Sequence, residues 1–124
     1  MIVNAESERF LKKLLEFFPS LNEAYRKSIL DYGGVLETVI IEDIFMPEII
    51  ELLSEGQNID LLERIFEYFE EISNNEYIHL RNVFSSTVLE KLGNDKSVLT
   101  IAKKHMGAKT VQLQIEADRS LGRV

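Results

Sequence analysis

Asp60-Leu61-Leu62-Glu63-Arg64-Ile65-Phe66-Glu67-Tyr68-Phe69-Glu70-Glu71-Ile72 is the stretch on which the fold turns. Leu62, Ile65, Phe66, Phe69 and Ile72 recur at the spacing of one helical face, while Glu63, Glu67, Glu70 and Glu71 fall largely on the other side. A strand has a period of two and would scatter both sets. Asp60 and Glu63 have the spacing of a capping box that opens the helix, and Ser73-Asn74-Asn75 closes it.

The same punctuation recurs on both sides of this segment. Toward the N-terminus, Asn4 is read as the cap of a first helix with Glu6 and Glu8 in its first turn, where carboxylates favour the positive end of the helix dipole. Phe10, Leu14, Phe17 and Phe18 form its apolar side, and Pro19 stops it. Ser20 and Glu23 suggest a second capping box, followed by a stripe of Leu21, Tyr25, Ile29 and Tyr32 that ends at Gly33-Gly34. Residues 35–44 contain the β-branched run Val39-Ile40-Ile41 and are read as a short helix or irregular lead-in, because a lone strand has nothing to pair with. Pro47 suits the first turn of a helix from Met46 to Ser54.

Toward the C-terminus, Leu80, Phe84, Val88 and Leu92 fall at strict four-residue spacing in a helix from about Glu76 to Leu92, stopped by Gly93. Asp95 caps a short helix carrying Val98, Leu99, Ala102 and Met106. A last helix from about Lys109 presents Leu113, Ala117 and Leu121. A shift of 39 residues lays Ile49-Ile50-Glu51 on Val88-Leu89-Glu90 and Leu53 on Leu92, near the period of HEAT-type helical pairs. The expected fold is therefore all-α: six to seven antiparallel helices, in a bundle or a short HEAT-like array, in one domain over residues 1–124.

Composition narrows the function. With no cysteine in 124 residues, disulfides, thiolate metal sites and thiol catalysis are excluded, and a cytoplasmic location is compatible. The N-terminus lacks the apolar run of a signal peptide, and no stretch reaches the ~18 apolar residues of a membrane span. The net charge of −7 is unevenly spread. Residues 1–36 balance five acids with five bases, residues 37–76 hold twelve acids and one base (Arg64), and residues 77–124 hold four acids and eight bases. A middle third this acidic repels phosphate and attracts a basic protein. Spread over the last third, the eight bases make RNA or an acidic partner a minor expectation.

Chemical motifs are sparse. Gly33-Gly34 lacks the Lys-Ser/Thr pair of a phosphate loop. The bases of the usual kind are His79 and His105, and Ser85-Ser86-Thr87 is read as packing and back-bonding within a helix. Glu76 and His79, at i and i+3, resemble half of a di-iron carboxylate motif, but the second copy and the extra inward glutamates are missing. No catalytic residue, metal, cofactor or small-molecule substrate is expected. The residues expected to bind a partner are Glu42, Asp43, Glu63, Glu67, Tyr68, Glu70, Glu71 and Tyr77, the acids for charge and the tyrosines for hot-spot contact.

The run Glu42-Asp43-Ile44-Phe45-Met46-Pro47-Glu48-Ile49-Ile50-Glu51-Leu52-Leu53 resembles a segment of small, acidic, helical bacterial proteins. Leu61-Leu62-Glu63-Arg64-Ile65-Phe66, Val88-Leu89-Glu90-Lys91-Leu92-Gly93-Asn94-Asp95, His105-Met106-Gly107-Ala108-Lys109-Thr110 and Leu121-Gly122-Arg123 are similar in the same way. These are the immunity proteins of contact-dependent inhibition and other polymorphic toxin systems, and the similarity spans about residues 35–123. The resemblance implies a cytosolic antitoxin that binds a cognate toxin domain, often a nuclease, and blocks its active site or substrate groove. It supplies no binding motif, so the residues above rest on charge and pattern alone. The alternatives are a HEAT-like scaffold or adaptor without a toxin partner, and a metalloprotein or enzyme using Glu76 and His79.

Overall fold

The computed structural model describes residues 5–123. Within them the fold is all-α, with seven helices and no strand. Helix α1 is Ala5–Phe17, and α2 is Asn22–Tyr32, entered through a 3-10 turn at Pro19–Leu21. Helix α3 spans 37–55 without a break: Glu37–Ile40, a π-helical turn Ile41–Phe45, then Met46–Glu55. Helix α4 is Ile59–Ser73. Helix α5 spans 78–92 and is also interrupted by a π turn, Ser85–Leu89, between Ile78–Phe84 and Glu90–Leu92. Helices α6, Lys96–Lys103, and α7, Ala108–Ser120, complete the fold.

Helix α5 is the central post. Leu80, Phe84, Val88 and Leu92 are all essentially sealed from solvent, as their spacing required. Around it pack α1, α4 and α7, and its π turn lies against the π turn of α3. The second half of α3 packs on α6, and α4 packs on α7, so contacts run across the helical pairs. An aromatic cluster joins α1, α4 and α5. Phe69 lies 5.1 Å from both Phe66 and Phe84, and Phe10 meets Phe84 edge-on at 6.2 Å.

Several sequence expectations change here. Val35 and Leu36 are an irregular lead-in, and residues 37–44 are helical but not a short separate helix, because Glu37 opens a helix that runs straight past Pro47. A proline inside an α-helix loses its bond to the carbonyl four residues back and collides with it. The π turn ends just before Pro47, with the Met46 N–H reaching Ile41 O, five residues back, and this wider turn absorbs the misfit. The capping boxes at Ser20 and Asp60 do not form. The caps are Leu21 and Asn58, without side-chain bonds, and Asp60 sits inside the first turn of α4. Asp95 does cap α6, accepting from the Ser97 N–H at 2.8 Å and the Val98 N–H at 3.4 Å. Asn4 lies outside the described residues. The 39-residue repeat is not the spacing of the helix ends: Glu55 and Leu92 close corresponding helices, and Ile59 and Lys96 open the next ones, 37 residues apart in each case.

Two stripes are also shallower than their patterns suggest. On α2, Tyr32 is 57% exposed, and Ser28 is the one buried residue. On α7, Leu121 is exposed and Leu113 half-buried, whereas Thr110, Gln114 and Asp118, at i, i+4 and i+8, face inward beside Ala117. Each of these side chains makes a hydrogen bond, although the buried Gln114 Oε1 accepts none among the described residues. Gln114 donates to Leu89 O at 2.9 Å and to Asp118 Oδ1 at 3.1 Å, and Arg123 donates to Glu90 O and Asp118. Gly93 leaves room for this seam, since a Cβ there would meet the Asp118 carboxylate and come within 2.5 Å of Arg123 Nη1.

Candidate functional site

Helix α4 forms because its apolar positions repeat at helical spacing, and burying them against α1, α5 and α7 fixes which side faces out. Asp60, Glu63, Glu67 and Glu71, spaced 3, 4 and 4 apart, therefore form one outward row, and all four are exposed. Asp60, Glu63, Arg64 and Glu67 line a shallow depression on this face. The row continues over the α3–α4 corner, where every residue from Ser54 to Asp60 is exposed and Glu51 and Glu55 precede the turn.

Among the described residues, none of these four carboxylates enters an ion pair. Helix α1 is the contrast. Its acids are matched within the helix, Glu6 to Arg9 at 3.0 Å, Glu8 to Lys12 at 3.2 Å and Glu16 to Lys13 at 3.7 Å. Like charges four apart cost a helix about 0.2–0.5 kcal/mol each. The α4 row carries that repulsion at Glu63–Glu67 and Glu67–Glu71, and Arg64 is the one base within the helix.

The other expected residues take separate places. Asp43 is exposed on α3 and borders a groove against α2, with Glu42 half-buried beside it. Tyr77 is 52% exposed and caps α5. Tyr68 is half-buried and packs against the core. Its ring stacks on Phe10 at 6.0 Å, meets Phe17 at 6.0 Å and lies under Lys13. Burial, then the Glu71 charge, pushes its hydroxyl up to about 12. Glu70 also turns inward. It accepts the Lys109 and Thr110 N–H groups at 3.0 and 2.9 Å and the Thr110 hydroxyl at 2.9 Å, capping α7 from another helix. Ser73 bonds Thr110 at 2.8 Å beneath it. Neither Tyr68 nor Glu70 belongs to the outward row. Asp60 does, although its spacing to Glu63 suggests a cap.

Burial raises the Glu70 carboxyl, but the hydrogen bonds from Thr110, Lys109 and Asn74 outweigh that and hold it below its ordinary value. The folded chain thus takes up this proton at a lower pH than the unfolded chain. The resulting stability is fully present above the ordinary value of 4.5 and is lost as the pH falls through the depressed folded value. Glu70→Gln is expected to flatten this acid limb in urea denaturation followed from neutral to acid pH. Gly107 tests the same contact from the other side. A Cβ at Gly107 would lie 2.5 Å from Glu70 Oε1, although the glycine backbone suits any residue. Gly107→Ala is expected to displace the carboxylate and cost about 1–3 kcal/mol in chemical denaturation. In a Glu70→Ala background, which removes the atoms the new Cβ would meet, the same change should cost much less, because the two share one contact.

Among the described residues no group of three or more His, Cys, Asp or Glu side chains converges to hold a metal ion. Glu76 precedes α5, so it does not share a helical face with His79, whose Nε2 lies 3.0 Å from Glu37 Oε1 instead. His105 packs on Phe66 at 5.7 Å. Thr87 donates to Val83 O at 2.6 Å and Ser86 to the same oxygen at 3.4 Å, the back-bonding expected of that cluster. No described helix is long and apolar enough to cross a membrane.

No curated protein and no solved structure matches the chain. Residues 11–121 match the family described as Domain of unknown function (DUF7674), and the chain belongs to that family.

Proposed function

We propose that this chain is an immunity protein that neutralises a cognate bacterial toxin domain, a nuclease, by covering its active site or substrate groove. One observation carries the reading: the outer face of α4 holds Asp60, Glu63, Glu67 and Glu71 in a single exposed row without ion pairs among the described residues, while α1 pairs its acids internally. A nuclease is basic where it holds its polyanionic substrate, so a row of carboxylates is drawn to that surface. Long-range attraction speeds encounter, and close contact then excludes the substrate. The resemblance of residues 35–123 to immunity proteins points the same way. In this reading the chain acts in the cytoplasm, as a binder without cofactor or substrate, and avoids nucleic acid itself. Co-expression with the product of the gene immediately upstream tests it. The expected result is rescue of growth and co-purification of a one-to-one complex. A toxic neighbour that still kills, with no complex formed, overturns it.

A further inference from the structure

Helix α2 packs less deeply than any neighbour of the core, and between it and α3 runs an open groove of about 200 Å³. Its apolar lining is Ala24, Tyr32, Val39 and Ile44. Val39 and Ile44 are five residues apart, which in an α-helix would set them about 140° from each other. The π turn at Ile41–Phe45, bonded five residues back, draws such positions toward one side, so Val39, Asp43 and Ile44 all reach the groove. At the rim, Lys27 is neutralised by Asp31 at 2.9 Å. Asp43 has no ion pair among the described residues, and neither has Glu42 beside it. The groove thus combines a partly open apolar floor with uncompensated negative charge at its α3 edge.

We propose that this groove is a second contact point for the partner and receives an apolar side chain from a cationic segment, with Asp43 pairing to the lysine or arginine beside it. The inference rests on the reading of the partner as a basic protein. It adds what the α4 row lacks, a place to bury apolar surface, because charge rows steer encounter whereas buried anchors slow dissociation. The π turn then has a role in recognition: it builds one wall of the groove.

The test uses the whole chain and a short amphipathic helical peptide of leucine and lysine only, with its leucine–glutamate counterpart as control, followed by amide NMR shifts. The expected result is saturable shifts at Ala24, Tyr32, Val39 and Ile44 with the lysine peptide and none with the glutamate peptide. Asp43→Asn should weaken that binding by about tenfold. Val39→Asp should abolish it, and both variants are checked for the parent helical spectrum. Shifts confined to Glu63, Glu67 and Glu71 overturn the groove proposal while leaving the α4 reading intact. Concentration-dependent shifts at the groove without peptide would assign it to a second copy of the chain and likewise overturn it. Groove binding that survives while charge reversal on α4 leaves the natural partner's association unchanged would sink the α4 reading instead.

Discussion

Replacing Phe84 with alanine is expected to cost about 3–5 kcal/mol of folding stability, the largest single-residue effect in the chain. The ring is fully buried and stands where α1, α4 and α5 meet, edge-on to Phe10 and 5.1 Å from Phe69. Removing it deletes the transfer free energy of the ring and leaves a cavity. The next residue, Ser85, opens the π turn of α5, which packs against α3, so the neighbourhood is poorly placed to collapse. Urea denaturation of Phe84→Ala should show a lower midpoint with an unchanged slope. A loss under about 1 kcal/mol would mean the aromatic cluster is loosely packed.

Reversing three charges on α4, Glu63→Lys with Glu67→Lys and Glu71→Lys, is expected to slow association with the partner by about 10- to 1,000-fold at low salt. Each reversal adds two positive charges, taking the formal net charge from −7 to −1. The side chains are exposed and form no ion pair among the described residues, so stability should stay within about 0.5 kcal/mol of the parent. Salt supplies the internal control. The Debye length shrinks from about 10 Å at 0.1 M to about 3 Å at 1 M, so the rates of parent and variant should converge as salt rises. Equal association rates at low salt would remove steering by α4 from the mechanism, whatever the partner is.

The same residues mark how far the sequence could be read. The stripe on α5, the amphipathic α4 and the Asp95 cap were legible because each depends on one local periodicity or one side chain reaching its own backbone. The two π turns were not, because a single widened turn leaves no distinct mark in residue periodicity; they lie where α3 packs against α5. Pro47 gave a true local signal, a disfavoured helix interior, but the chain met it with a wider turn instead of a break. The inward face of α7 was missed for a related reason. Thr110, Gln114 and Asp118 look like a polar exterior until Glu70, Ser73 and the Leu89 carbonyl are brought to them by other helices. The candidate site was partly legible. Acidic residues identify a charged region, yet only the packing of α4 sorts Glu63, Glu67 and Glu71, facing water, from Glu70, holding α7 in place.

The most direct measurement is hydrogen exchange on the chain alone and in complex with the product of its upstream gene. Protection along α4 and the α3–α4 corner, residues 51–71, is the predicted result, whether or not the α2–α3 groove is protected as well. Protection restricted to α6 and α7, with α4 exchanging as in the free chain, would contradict it.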